Sequence, residues 1–301
     1  MSKCQICEKP LRLIDVVNIQ HFGANWNSRY LSENPLITMS DVLNNPKIEW
    51  DFRWLSANPS ITMNDVLENP HIDWDFKWLS EYLLITMSDI IDNPQFLWDF
   101  DYLSRNQSIV ISDVLNNLHF NWDYYYLSRN PSITMSDILS NLQIPWDFDE
   151  ISENSLVTMS DVLNNPQFKW NFDNLSWNDS ISISDVLSNP EFKWNFDNLS
   201  MNPSISMSDV LSNPQFEWNF ACLSENPSIT MNDVLSNPQL PWDIYYLSRN
   251  SSIIMDDVLN NSQFNWNFTQ LTLNTSITIN DVLNNPQFNW NYSFIFKKRI
   301  Q

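Results

Sequence analysis

Apolar and polar positions along this chain recur with a period of 24 residues. Trp26, Trp50, Trp74 and their successors to Trp290 stand 24 residues apart with no insertion or deletion, giving eleven full repeats and part of a twelfth. Taking each of these tryptophans as position 1, one repeat reads WDFRWLSANPSITMNDVLENPHID, residues 50–73. Position 2 is always Asp or Asn, position 16 is Asp from Asp41 to Asp281, and position 20 is Asn from Asn45 to Asn285. Fixed-period self-similarity of this length is the mark of stacked repeat architectures.

Each repeat divides into two similar halves, W-D/N-F-x-x-L-S-x-N-P and I-T-M-S-D-V-L-x-N-P. Both predict one short helix. In the second half Thr62 is a natural N-cap, with Asp65 three residues on to complete a capping box, and Ile61 and Val66 are spaced as a hydrophobic staple. In the first half Asp51 takes the cap, flanked by Trp50 and Leu55 at the same staple spacing. Each helix should end at its Asn, a residue that tolerates the left-handed conformation, because the following Pro discourages continuation. The predicted helices are then about six to eight residues, close to two turns at 3.6 residues per turn. A strand over S-I-T-M is the rival, as in leucine-rich repeats. The invariant Asp and the V-L pair fit a capped helix better than period-two alternation, and the L-x-x-L-x-L pattern is absent.

A single repeat offers eight apolar side chains, Trp50, Phe52, Leu55, Ile61, Met63, Val66, Leu67 and Ile72. Their burial is worth less than the conformational entropy lost in ordering the unit, and helices this short are unstable alone. Only stacked neighbours, burying both faces of each module, can fold. The expected fold is therefore all-α: an α-solenoid of about eleven two-helix repeats over residues 26–289, with a degenerate N-terminal cap at 1–25 and a partial repeat or cap at 290–301. At ~8–10 Å per helix layer its contour would be about 100 Å.

Composition narrows the function. Gly23 is the one glycine, so the glycine-rich loops that cradle phosphates and dinucleotides cannot be built. Acidic side chains outnumber basic ones 36 to 15, for a net charge of −21. The repeats hold 34 of the acids and 9 of the bases, whereas the two ends hold 2 and 6. Such a body repels nucleic-acid phosphates and anionic membrane and suits a basic partner or simple solubility. Three cysteines give no disulfide framework, and neither a signal peptide nor a long apolar run is evident, so an intracellular, cytoplasmic protein is expected.

Catalytic and metal chemistry finds little support. Cys4 and Cys7 form a C-x-x-C that with His21 would supply three of the four ligands of a zinc site; two small residues in an end cap is the simpler reading. His71 and His119 share a repeat position two units apart, too distant to act together. The Asp at position 16 has a capping role, and calcium loops need glycine and clustered oxygens. No cofactor, metal or small-molecule substrate is expected.

Variable positions are where function would lie. Position 5 holds Tyr30, Trp54, Trp78, Tyr102, Tyr126 and Tyr246, but Glu150, Asn174, Asn198, Cys222 and Gln270 elsewhere. Position 8 runs through Glu33, Ala57, Glu81, Arg105, Arg129, Glu153, Trp177 and Met201. A core site would not accept such variety, so the six rings are read as a partly exposed aromatic ladder and candidate partner-binding residues. Padding between neighbouring helices is the equally weighted alternative. The serines of position 7, Ser32 to Ser248, are read as small residues that let helices approach closely.

The unit N-P-x-I-T-M-x-D-V-L-x-N-P-x-x-x-W-D-F-x-x-L-S resembles the short tryptophan-containing repeats of giant amoeba-infecting DNA viruses of the mimivirus type, over residues 26 to 290. That resemblance implies a viral origin, in host cytoplasm or virion, rather than an activity. The expected function is a non-catalytic scaffold binding another protein. The alternatives are an acidic mimic of nucleic acid and a structural component of a virion or viral factory.

Overall fold

The computed structural model describes residues 28–82 and 85–291. Cys4, Cys7, His21, Trp26, the expected N-terminal cap and all of the expected C-terminal cap beyond Asn291 lie outside these residues. Among the described residues the chain is all-helical, with 22 helices and no strand. Each repeat supplies two: an A helix, such as Phe172–Trp177, and a B helix, such as Ile183–Ser188. Most have six residues, while Phe52–Leu55, Phe100–Leu103 and Ile244–Leu247 have four and Phe76–Tyr82 has seven. The fold is an α-solenoid. Its described residues gather into two units, one of residues to Ile85 together with those from Leu247, the other Thr86–Tyr246.

The expected caps form. Thr62 Oγ1 accepts the Asp65 amide at 3.2 Å, and Asp65 Oδ2 accepts the Thr62 amide at 2.8 Å and its hydroxyl at 2.7 Å. The same box closes at Thr38, Thr86, Thr134, Ser182, Ser206, Thr230 and Thr278. Val110 and Ile254 have no acceptor to offer, and only the aspartate half survives there, with Asp113 and Asp257 accepting their amides at 3.0 Å. A helices are capped by position 2: Asn171 Oδ1 accepts from the amides of Asp173 and Asn174 at 3.0 and 3.2 Å.

Helix ends differ from expectation. Among the described residues none of the asparagines that directly cap a helix is left-handed. Those after A helices are extended, as at Asn178 (φ −68°, ψ 122°), and those after B helices have φ between −121° and −135°. Their side chains explain why Asn is needed. The Asn at position 20 folds back onto its own helix, Asn189 Nδ2 donating to the Asp185 carbonyl at 2.8 Å. The Asn at position 9 reaches into the preceding repeat instead. Asn178 Nδ2 lies 3.2, 2.9 and 3.3 Å from the carbonyls of Ser152, Asn154 and Val157, while its Oδ1 accepts the Ser180 amide at 2.9 Å. Asn154, Asn202, Asn226 and Asn274 repeat the pattern, and all of them are at most 3% exposed.

A second rung runs through position 7. Ser152 Oγ donates to the Phe148 carbonyl of its own helix at 2.6 Å and accepts the amide of Asn171, in the next repeat, at 3.0 Å. These serines are therefore hydrogen-bonding links and not merely small spacers. They are fully buried from Ser32 to Ser248, and Thr272 does the same work on Asn291.

Apolar burial follows the repeat frame. Leu or Ile at position 6, Ile or Val at position 12 and Val or Ile at position 17 are at most 5% exposed throughout. In residues 86–246, A helices stack on A helices from Tyr124–Arg129 through Phe148–Glu153 to Phe220–Glu225, around a core that includes Ile138, Ile151, Val162, Leu175 and Val186. The tryptophans of position 1 are buried or half-buried, each indole N–H held by the position-20 carbonyl, as Trp170 Nε1 to Asn165 O at 2.9 Å. Phenylalanines flank them: Phe148 stacks on Phe168 at 4.2 Å and meets Trp170 edge-on at 5.6 Å. The expectation fails at position 18. Leu67 is 44% exposed, and eight of its counterparts are exposed to a similar degree, with Leu115 and Leu283 half-buried, because on a six-residue helix positions 14 and 17 face inward and position 18 is rotated by ~100° from 17.

Urea unfolding should rank three substitutions. Asp161→Ala loses a cap and should cost about 0.5–2 kcal/mol. Trp170→Ala leaves a void and should cost ~3–5 kcal/mol. Asn178→Asp keeps the shape but turns a carboxylate oxygen onto three buried carbonyls, and should exceed the cap loss because buried acceptors are left unpaired. Equal midpoints for Asn178→Asp and the parent would refute the rung.

Candidate interaction surface

The exposed sides of the A helices carry positions 4, 5 and 8, where repeats differ most. Position 2 caps each helix and position 6 is buried, so positions 4 and 8, four apart, fall on the outer side with position 5 beside the neighbouring repeat. All six sequence-predicted residues, Tyr30, Trp54, Trp78, Tyr102, Tyr126 and Tyr246, are half-buried.

In the first unit Trp54 and Trp78, from consecutive repeats, lie 5.1 Å apart with planes inclined at 36°. The Arg29 guanidinium sits 3.7 Å above the Trp54 ring and 5.4 Å from Tyr30, and Arg53 lies 5.7 Å from the Trp78 ring. Arg53 also approaches Asp75 at 3.6 Å. In the second unit Arg105 occupies the matching place between rings, 3.5 Å from Tyr126 and 4.8 Å from Tyr102. The ladder is thus a run of rings with arginines between them. Part of each ring's surface contacts its neighbours, and part faces water.

The same position serves different chemistry further on. Asn174 Nδ2 donates to the Asp149 carbonyl at 2.7 Å and Asn198 Nδ2 to the Asp173 carbonyl at 2.8 Å. Glu150 is 7% exposed and stands 3.9 Å from Arg129, which donates to Glu153 at 2.5 Å. Its bond with the Tyr125 hydroxyl, followed by burial, raises the tyrosine's pKa. Position 5 is therefore a joint between repeats, which accounts for Asn and Glu where exposure alone would not.

Position 4 shows a charge order that sequence reasoning did not single out. Arg29, Arg53 and Lys77 are followed by Asp101, Tyr125, Asp149, Asp173 and Asp197. All are exposed. Three of these aspartates accept from the position-2 amide of the next repeat: Asn171 to Asp149 at 3.2 Å, Asn195 to Asp173 at 3.1 Å and Asn219 to Asp197 at 2.8 Å. Beside them a shallow groove of about 420 Å³ is lined by Trp146, Phe148, Phe168, Asp147, Asp149 and Lys169.

His71 and His119 are exposed turn residues, the latter against Phe120 at 4.2 Å. Among the described residues no group of three or more His, Cys, Asp or Glu could hold a metal, and no helix is long and apolar enough to cross a membrane. Burial pushes the Cys222 thiol up from its ordinary value, helped by the charges of Asp197 and Glu225.

Two outcomes check this geometry. In a Cys4→Ser/Cys7→Ser background, Cys222 alkylation should keep accelerating above about pH 8.5, where an ordinary thiol is half ionised, and Asp197→Asn should bring the midpoint down. A double-mutant cycle on Arg105 and Tyr126, read by thermal or urea unfolding, should give a coupling of about 0.5–2 kcal/mol; zero coupling would mean that the guanidinium merely lies nearby. Comparisons of this chain with protein-family models, with curated proteins and with solved structures find no match.

Proposed function

We propose that this protein is a non-catalytic repeat scaffold that holds another protein along the exposed side of its A helices. The observation that carries this reading is the contrast between constant and varied positions. Within one chain, capping aspartates, asparagine rungs and core aliphatics hardly change, whereas positions 4, 5 and 8 change from repeat to repeat. Stacked repeats present such positions as an extended surface, each module offering a few side chains to the partner. Half-buried rings and arginines suit that role, since Trp, Tyr and Arg dominate binding hot spots and rings already packed lose little entropy on binding. The unit's resemblance to repeats of giant DNA viruses supports a viral setting for the scaffold.

A second reading has one observation in its favour. Asp149, Asp173 and Asp197 form an exposed row in three consecutive repeats, the regular outer carboxylate stripe expected of a nucleic-acid mimic. Such a mimic would engage a nucleic-acid-binding protein through its basic surface.

A partner captured on the full chain and identified by mass spectrometry separates these readings. Arg53→Ala and Tyr125→Ala should each weaken it about tenfold, ~1.4 kcal/mol, with far-UV dichroism unchanged. Undiminished affinity in both variants would remove the aromatic and arginine surface from the contact. Steep loss of binding with salt, together with loss on Asp149→Asn/Asp173→Asn/Asp197→Asn, would instead favour the mimic.

A further inference from the structure

The B helices carry the least expected surface of this molecule. Position 18 is aliphatic in all eleven repeats, Leu in ten and Ile91 in the other. Yet in residues 86–246 Ile91, Leu139, Leu163, Leu187, Leu211 and Leu235 are 41–55% exposed, and Leu115 is the one half-buried member of the row. Position 4, exposed in the same repeats from Asp101 to Asp197, has diverged freely. An aliphatic side chain kept at an exposed position through that divergence answers to a contact that the fold itself does not supply.

The residues that flank this row on its own helices at positions 15 and 19 are uncharged but for Asp92. Positions 15 and 19 lie three residues before and one after it and are exposed in these repeats. In this unit position 15 is Ser six times and then Asn232, and position 19 is Asn or Ser everywhere except Asp92. In a chain of net charge −21 this is where a second molecule of the same charge can approach with least repulsion. The A-helix side, with Asp101, Asp149, Asp173 and Asp197, would repel a copy of itself.

We propose that the B face of residues 86–246 is a self-association surface, on which a second copy of this chain lies antiparallel with its own position-18 row interleaved. Three arguments select this occupant. The first is the charge pattern above. The second is pitch: a second copy presents apolar side chains at the same spacing, so every rung finds a partner, whereas a surface of another spacing would leave most rungs unmatched. The third is area. Neighbouring B helices pack side by side. Seven of them at ~9 Å per layer make a strip about 60 Å long, and one helix diameter of ~12 Å gives about 700 Å². A stable two-protein interface takes about 800 Å² from each partner. A two-fold axis makes the contact self-complementary and places the middle of the row against itself. The middle member of the eleven, and of the seven in this unit, is Leu163.

Sedimentation equilibrium of the full chain from low to several hundred micromolar tests the proposal. The expected mass is twice that of the chain, maintained in molar salt because the contact is apolar. Leu163→Asp/Leu187→Asp/Leu211→Asp should return it to the single-chain mass with far-UV dichroism retained. Asp149→Asn/Asp173→Asn/Asp197→Asn on the other side should leave it doubled. With Cys4, Cys7 and Cys222 replaced by Ser, Leu163→Cys should oxidise to a covalent dimer and Leu235→Cys should not. A wild-type protein of single-chain mass at every concentration overturns the proposal, whether or not the leucine variants fold. So does a doubled mass that only the aspartate variant abolishes. Cross-linking through Leu235→Cys but not Leu163→Cys overturns the antiparallel arrangement.

Discussion

A buried asparagine amide, reaching back one repeat to bond backbone carbonyls, is the interaction on which the rest of this structure depends. A solenoid of six-residue helices has a severe backbone problem. Most of the amides and carbonyls in such short helices are terminal and lack intrahelical partners, and stacking buries them. An unpaired buried carbonyl is costly, so each layer must satisfy the groups of the one before it. Position 9 does this with an amide donor directed at three carbonyls, and position 7 adds a hydroxyl that accepts the next repeat's capping amide. These rungs are geometrically exacting, and they set layer spacing as apolar packing alone would not. One repeat departs from the pattern: Tyr82 stands where the ten others have Asn.

With register provided by polar rungs, the apolar core can be simple. Three aliphatic positions per repeat are sealed, and the indoles and phenylalanines form a surrounding layer, half-buried, each indole tethered by its N–H. This division frees the outer faces. The A side is charged, aromatic and varied; the B side is uniform, apolar-ridged and nearly uncharged. A varied face suits recognition of a specific partner, and a uniform face suits contact with something as periodic as itself.

Several features were legible in the sequence for plain physical reasons. The Thr-x-x-Asp boxes, the aspartate or asparagine caps of the A helices and the buried Leu55, Ile61 and Val66 depend on residues within one helix or adjoining it, and local chemistry suffices to place them. Leu67 was misread because a six-residue helix gives too few turns to fix which of two adjacent aliphatics faces inward. Position 5 was legible only in part. Its mixture of rings, amides and a glutamate denied a sealed core, but that Asn174 and Trp54 occupy the same joint between repeats requires knowing what lies one repeat away.

The asparagines of positions 9 and 20 draw the boundary most clearly. By itself the sequence determined that helices end there, that the unit is two helices and that a single unit cannot fold, because period, caps and proline are local properties and entropy sets the minimum size. It could not tell the asparagines apart. Asn213 and Asn202 are each followed by proline in sequence, yet one folds onto its own helix and the other spans 21 to 26 residues to the preceding repeat. Only the tertiary structure decides this, since a side-chain amide bonds whichever carbonyls the packed layers leave unpaired within its reach, and those carbonyls come together only after the repeats have stacked.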